Sequence, residues 1–309
     1  MSVPVVDLGD ASGDLVAQVG EACERIGFFT IVNHGVPPQV IEEAWTAARG
    51  FFDLPEAEKL RLALGDRQGL ASNLPQYYPV EEEALAAGLG ERTPGDLKES
   101  IGFGPSDGGR PWPAQPAELE PALRRYFAAM LELGARLRGL LLEALGQPGD
   151  LLDALFPADG GASYLRAINY PERAGVLPGQ MRAGAHTDYG CLTILRSQDS
   201  AGGLQVRDRD QRWVDVQGLD DAFVINIADA MSLWSNDRFV STVHRVVTPP
   251  DALVAGSRRQ SMAFFYNPAG DALIQPITAD GEAQRHQPIT FQELQDRKSR
   301  LAHAVAEQT

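Results

Sequence analysis

The stretch that decides the fold spans residues 162–267. It reads as a chain of short β-type runs: ASYLRAINY (162–170), CLTILR (191–196), GLQVR (203–207), RWVDV (212–216), AFVINI (222–227), MSLWS (231–235), VHRVV (243–247) and QSMAFFYN (260–267). Branched and aromatic residues fill these runs, and turn residues bound them at close spacing, which is the pattern of a sandwich or barrel.

Working outward, the upstream half is mixed. Leu15, Val16, Val19, Cys23 and Ile26 recur at helical spacing behind the candidate caps Ser12 and Asp14, until Gly27 breaks the repeat. The apolar run Phe28–Val32 reads as a buried strand. After Asn33-His34-Gly35, a turn in which His34 should bond locally, Pro37 or Pro38 can open a second helix through Phe52, because proline is tolerated in a first helical turn. Residues 64–115 hold many Gly and Pro residues and little periodicity, so they read as a long, partly mobile loop region. Leu123, Phe127, Met130, Gly134, Leu137, Leu141 and Ala144 lie three or four apart and predict a helix over residues 121–145 that backs onto a sheet. Downstream, Thr290 and Glu293 form a capping-box pattern before a polar helix, residues 291–306.

With 309 residues and 44% hydrophobic content, the chain can bury one substantial core, which excludes disorder of the whole. Its 27 Lys and Arg against 42 Asp and Glu leave a net charge of −15, a balance that repels phosphate backbones and argues against a nucleic-acid partner. No apolar run reaches the roughly 18 residues that span a bilayer, and MSVPVVDLGD lacks the regions of a signal peptide, so a cytoplasmic location without a membrane partner is expected. Cys23 and Cys191 are too few for a disulfide framework and read as small buried hydrophobes.

The chemistry concentrates at Ala185-His186-Thr187-Asp188-Tyr189-Gly190. An imidazole and a carboxylate two residues apart in β-type sequence project from one face and can chelate one ion. His244, in VHRVV, offers a third ligand several strands later. Two histidines and a carboxylate leave adjacent coordination positions open, which suits Fe(II), whereas zinc usually closes its shell. Of the five histidines, His34, His286 and His303 fall in a turn, a polar loop and a polar helix, and none offers a fourth ligand. Fifteen residues beyond His244, Arg259-Gln260-Ser261 leads into an apolar strand. Period-two alternation points Arg259 and Ser261 to one side, where a guanidinium fork and a hydroxyl can grip a carboxylate, while Arg258 faces away as a surface arginine.

At this point the residues resemble a known family, the isopenicillin N synthase-like 2-oxoglutarate and Fe(II) dependent oxygenases. The likeness covers nearly the whole chain in order. It includes VPVVDL, Gly27-Phe28-Phe29, Val32-Asn33-His34-Gly35-Val36, Phe51-Phe52 with Leu54-Pro55, and Asp96-Leu97-Lys98-Glu99. Asn169-Tyr170-Pro171, HTDYG, GGLQV (202–206), Trp213, the run from Asn226 through Ser235-Asn236, HRV and Arg-x-Ser follow. The resemblance implies a mainly β chain with flanking helices: a distorted double-stranded β-helix, or cupin-like jelly roll, with a helical N-terminal region. It divides the chain into an N-terminal α/β region with loops at the substrate entrance (1–115), backing helices (116–157), the catalytic double-stranded β-helix (158–275) and a C-terminal helix (276–309).

It further implies that His186, Asp188 and His244 ligate iron and that Arg259 and Ser261 hold the distal carboxylate of 2-oxoglutarate. Asn169 and Tyr170 match a motif near that cosubstrate. The implied reaction takes Fe(II), 2-oxoglutarate and O2, oxidises a small molecule by hydroxylation, desaturation or ring closure, and releases succinate and CO2. Natural-product biosynthesis is the expected setting. Ala228 and Asp237 stand where glycines are common in the family.

Tyr77, Tyr78, Phe103 and Trp234 are candidates for the substrate wall, with ordinary packing as the competing reading. Glu81-Glu82-Glu83 reads as a solvated surface. The polar face Gln295, Asp296, Arg297, Lys298 and Arg300 reads as solvent-exposed, which fits a monomer. Three alternatives remain open: a same-fold oxidase or cyclase that uses no 2-oxoglutarate, a zinc hydrolase, and a non-catalytic jelly-roll binding protein. Retention of all five ligand and anion-gripping positions argues against the last.

Overall fold

A computed structural model describes residues 2–10, 14–63, 75–105, 111–198, 202–279 and 281–306, with side chains described to residue 298 and at Arg300. Its strands are β1 (Val5–Asp7), β2 (Phe28–Val32), β3 (Gln76–Tyr78), β4 (Glu99–Phe103), β5 (Tyr164–Tyr170), β6 (Ala183–His186), β7 (Leu192–Ser197), β8 (Leu204–Arg207), β9 (Trp213–Asp215), β10 (Phe223–Ile227), β11 (His244–Val246), β12 (Arg259–Tyr266), β13 (Leu273–Ile274) and β14 (Ile289–Thr290). The helices are α1 (Leu15–Arg25), α2 (Pro38–Phe52), α3 (Glu56–Lys59), α4 (Leu119–Ala144), α5 (Asp229–Trp234) and α6 (Phe291–Ala306).

Eight strands form a large sheet in the order β1-β2-β10-β7-β12-β5-β4-β3, and β6-β11-β8-β9 form a small one facing it. Phe28, Tyr170 and Val224 of the large sheet meet Ala183, Leu204, Val206 and Val246 of the small one, so the jelly roll has an apolar core of its own. The far face of the large sheet carries the main core under α1, α2 and α4. The expectation that the long helix backs onto a sheet holds: Phe127 of α4 packs edge-on against Phe264 of β12, with ring centroids 5.0 Å apart.

Period two governs the strands that flank the cavity between the sheets. Tyr164, Arg166, Ile168 and Tyr170 of β5 line it, as do Arg259, Ser261, Ala263 and Phe265 of β12. Their neighbours Leu165, Ala167, Met262 and Phe264 turn into the core behind. Register locks the two faces together, with Arg259 opposite Tyr170 and Ala263 opposite Arg166.

Several expectations need correction. MSLWS is not a strand: it lies in and just beyond α5, where Ala230, Met231 and Trp234 are buried at helical spacing. A five-residue apolar run is too short for periodicity to separate the two states. Residues 64–115 are not one loop, because β3 and β4 fall inside them and extend the large sheet beyond β5. Pairing to β5 there overrides the weak strand propensity of Glu99, Ser100 and Gly102; residues 64–74 and 106–110 lie outside the described set. Asp14 makes no side-chain cap at α1, and Ser12 lies outside the described residues. The capping box at α6 does form: the Thr290 backbone N–H donates to Glu293 Oε2 at 3.0 Å, and the Glu293 N–H donates to Thr290 Oγ1 at 3.2 Å.

Ala228 occupies extended backbone at φ −107°, so no glycine is required there. Asp237 does sit at φ 66°. Gly27 ends the first helix at φ +66°, where an added Cβ would lie 1.8 Å from the Val240 carbonyl oxygen. Gly27→Ala is therefore expected to lower stability by about 2 kcal/mol or more, from left-handed strain plus a backbone clash. Denaturant unfolding checks this, and a loss under about 0.5 kcal/mol would contradict it.

Candidate active site

Three donor groups converge between the sheets. His186 closes β6, His244 opens β11, and the two residues pair directly across the small sheet. Asp188 lies two residues past the end of β6 rather than within it, so convergence is not strand alternation alone. Backbone bonds set the loop: the Asp229 N–H donates to the Asp188 carbonyl, and the Ala230 N–H to the Gly190 carbonyl, both at 2.9 Å. The start of α5 thus fixes the loop that carries the carboxylate.

Each ring is oriented by its rear nitrogen. His186 Nδ1 bonds the Gly184 carbonyl at 2.8 Å and His244 Nδ1 bonds the Thr242 carbonyl at 3.1 Å, which turns both Nε2 atoms inward. Asp188 Oδ1 lies 3.7 Å from His186 Nε2 and 3.9 Å from His244 Nε2. Its other oxygen, Oδ2, accepts from Thr193 Oγ1 at 2.6 Å and Asn226 Nδ2 at 2.9 Å. Those two donors stand directly opposite one another on β7 and β10.

The electrostatics match a ligand set. Burial, then the neighbouring His244, holds His186 down at about 3, so its ring is neutral at ordinary pH. Burial pushes the Asp188 carboxyl up, but the two imidazoles and the hydrogen bonds from Thr193 and Asn226 outweigh it and keep the group below its ordinary value. All three side chains can reach one ion. Two imidazoles and one carboxylate with its second oxygen already hydrogen-bonded are donors that suit Fe(II) and leave positions for exogenous ligands.

The cavity beside them measures about 420 Å³. Arg259, only 1% exposed, donates from Nε to the Gln198 carbonyl at 3.1 Å and from Nη2 to Ser197 Oγ, and its guanidinium lies over the Tyr170 ring at 4.9 Å. Its Nη1 is buried without a hydrogen-bond partner. Ser261 Oγ and Tyr170 Oη are 3.4 Å apart beside it. A charged donor held in place yet unsatisfied fits an exogenous carboxylate.

Other expected residues part company with the site. Asn169 faces the opposite side of β5: its Nδ2 donates to Glu99 Oε1, and its Oδ1 accepts from Arg258 Nε, each at 2.8 Å. Direct contact with a ligand in the cavity is not available to it. Arg258 does face away from the cavity, but it is half-buried and pairs with Asp53. Tyr77 bonds Glu99, Phe103 packs on Trp112 and Phe127, and Trp234 lies in the core, so none of these three lines the cavity. Tyr78 sits under the Arg166 guanidinium.

His34 accepts from the Val36 N–H, as a local turn bond should, and His286 pairs with Asp237. The His303 side chain lies outside the described residues. Both cysteines are free and buried.

Sequence reasoning missed Thr193, Asn226 and Lys298 as supports. Lys298 is not part of a solvated face: it reaches back to Asp229 at 2.7 Å and Thr187 Oγ1 at 2.8 Å, tying α6 to the metal loop, while Gln295 lines the cavity. The alternation of CLTILR and AFVINI could have placed Thr193 and Asn226 on the inner face.

Comparison with known proteins agrees with this geometry. Residues 162–268 match the model of the 2OG-Fe(II) oxygenase superfamily, and residues 3–122 match that of the non-haem dioxygenase in morphine synthesis N-terminal region. Jasmonate-induced oxygenase 4 of Arabidopsis thaliana is 33% identical over 95% of this chain and 81% of its own. The 2-oxoglutarate-dependent dioxygenase caaD of Aspergillus niger is 31% identical over 86% and 84%. Among solved structures, a full-length Neurospora crassa protein in complex with alpha-KG superposes with a TM-score of 0.81 at 27% identity, covering 97% of this chain and 96% of that one. JOX2 in complex with 2OG, Fe and JA gives 0.78 at 28% identity, covering 95% and 83%. These relatives do not favour the alternative that dispenses with 2-oxoglutarate. No described helix is long and apolar enough to cross a membrane. The chain therefore belongs to the 2-oxoglutarate and Fe(II) dependent oxygenase superfamily, as a dioxygenase that takes Fe(II), 2-oxoglutarate and O2.

Proposed function

We propose that His186 and His244, through Nε2, and Asp188, through Oδ1, hold the iron, and that Arg259 and Ser261 hold the distal carboxylate of 2-oxoglutarate. Tyr170 supports that grip through its ring under the guanidinium and its hydroxyl beside Ser261. The observation that carries the reading is the buried, unpartnered Nη1 of Arg259 in the same cavity as the three converging donor atoms.

Bound iron supplies the activation of dioxygen, coupled to oxidative decarboxylation of the cosubstrate. The chain's own groups orient and enclose. Thr193 and Asn226 keep one Asp188 oxygen engaged so that the other faces the metal, and the Nδ1 bonds of both histidines keep Nε2 available. Gln292 and Gln295 of α6 contribute to the cavity wall. Residues 158–275 act as the catalytic core, 1–115 form an N-terminal α/β region with the loops at the substrate entrance, 116–157 supply the backing helices and 276–309 the C-terminal helix. Hydroxylation is the default outcome; desaturation or ring closure needs only a different fate for the same substrate carbon. The protein works as a monomer in the cytoplasm on a small organic molecule.

The test is the visible spectrum of anaerobic protein loaded with Fe(II) and titrated with 2-oxoglutarate, beside succinate release under air. A weak charge-transfer band is expected as the oxo acid chelates iron. Stoichiometric iron binding with no band and no succinate would sink the proposal.

A further inference from the structure

The cavity has a second polar region that neither the iron ligands nor the Arg259 grip uses. Lys98, immediately before β4, and Arg166, in the middle of β5, both line it and are only 4% and 6% exposed. Arg166 shares the inner face of β5 with Tyr170 but stands four residues away, roughly 13 Å along the strand. It therefore stands clear of the Arg259 grip, one inner-facing step short of the row of Thr193 and Phe265 that backs the metal ligands.

Both cations converge on one oxygen. Glu83 Oε2 lies 2.9 Å from Lys98 Nζ and 2.7 Å from Arg166 Nη2. Glu83 is thus not part of a solvated acidic surface. Burial pushes its carboxyl up, but the charges of Arg166 and Lys98 overcome this and hold it at about 2, so it is an anion at neutral pH. Asp96 is the next acid, 3.7 Å from Lys98 Nζ, with its oxygens already accepting from the Leu85 and Gly184 backbone N–H groups.

Glu83 and Asp96 balance the two cations, so the site has no excess charge to hold a phosphate dianion. What it offers is geometry. The Arg166 guanidinium is fixed 4.3 Å over the Tyr78 ring, and its Nε is buried with no hydrogen-bond partner. A guanidinium edge with an unused buried donor suits a planar carboxylate. Beside these cations, Leu85, Ile168 and Phe265 supply an apolar wall of the same cavity.

We infer that Lys98 and Arg166 recognise a carboxylate on the organic substrate, whose apolar remainder lies along this wall toward the metal. The inference rests on the function proposed above and names the substrate class for that same cavity: small monocarboxylic acids with an aromatic or aliphatic body.

The experiment uses the full chain with Fe(II) and 2-oxoglutarate under argon. Phenylacetate, indole-3-acetate and octanoate are titrated calorimetrically beside the methyl ester and primary amide of each. The charge-transfer band is recorded on the same samples. At least one acid is expected to bind, with its ester and amide about 10- to 100-fold weaker, the range of a lost hydrogen bond to a charged group.

Arg166→Gln should erase that preference and leave the band intact, while Arg166→Lys should restore part of it. Glu83→Gln, which removes the competing carboxylate, should tighten the acid. Should Arg166→Gln fail to fold, Lys98→Gln makes the same comparison. No acid binding at all, esters equal to acids, or a preference unchanged in both Gln variants overturns the inference while the band upholds the cosubstrate reading. An acid preference that persists where no band forms upholds the carboxylate site and sinks the cosubstrate reading.

Discussion

Asp188→Ala is expected to yield a folded protein that retains almost no iron and forms no measurable succinate. The carboxylate supplies the one negative donor in the set, and its loss leaves two imidazoles whose Nε2 atoms no longer share an anion. The loss should exceed the roughly 10- to 100-fold that follows removal of an outer hydrogen-bond partner. Thr193→Val supplies that comparison, since it frees Oδ2 from one of its two donors and leaves all three ligands in place. Asp188→Ala should still fold, because burial keeps His186 neutral whether or not the carboxylate is present. The fold cost is confined to the orphaned Thr193 hydroxyl and Asn226 amide, about 1–3 kcal/mol for each buried group left unsatisfied. Metal content by elemental analysis, with circular dichroism as the check on folding, decides it. Near-stoichiometric iron in folded Asp188→Ala would remove Asp188 from the ligand set.

What the sequence disclosed and what it withheld separate along a physical line. Period-two alternation in β12 put Arg259 and Ser261 on one face, and both do line the cavity. The same rule applied to β5 would have excluded Asn169, which shares a strand with Tyr170 but points into the Glu99 network. The 3.6-residue repeat located α4 to within two residues at each end, because a 26-residue helix offers many turns for the pattern to accumulate.

Short elements failed for the opposite reason. α5 has six residues, and β3 three, so their states are set by what they pack against rather than by their own pattern. Glu83 and Lys298 look like surface residues in the sequence because charge implies exposure unless a buried partner is known. Their partners lie 83 and 111 residues away in Arg166 and Thr187. Nothing local to either residue announces such a pairing.

Arg259→Leu is the second large effect, and it should separate the cosubstrate from the metal. Iron binding is expected to remain near wild type, since Arg259 makes no contact with the three donor groups: its bonds go to Gln198 and Ser197 on the strand side. Affinity for 2-oxoglutarate should fall by about 30-fold or more, the lower end of the 2–5 kcal/mol that truncating one member of a buried charged pair costs. The unpartnered Nη1 makes the effect specific to the ligand. Removing the guanidinium also leaves the Gln198 carbonyl and the Ser197 hydroxyl without their donor, at about 1–3 kcal/mol for each group left buried and unsatisfied, so the unloaded protein loses stability as well. Retained iron, a moderate loss of stability without cosubstrate and a large rise in the 2-oxoglutarate KM are therefore the expected signature. Ser261→Ala should follow in the same direction by a smaller factor, about 3- to 10-fold for a neutral donor. Titration of the charge-transfer band gives the affinity, and thermal unfolding with and without 2-oxoglutarate gives the linkage. If Arg259→Leu bound 2-oxoglutarate as tightly as wild type, the carboxylate grip would have to lie elsewhere. The buried cations at Arg182 and Arg166 would then be the residues to examine, and the substrate end of the cavity would have to be reassigned with them.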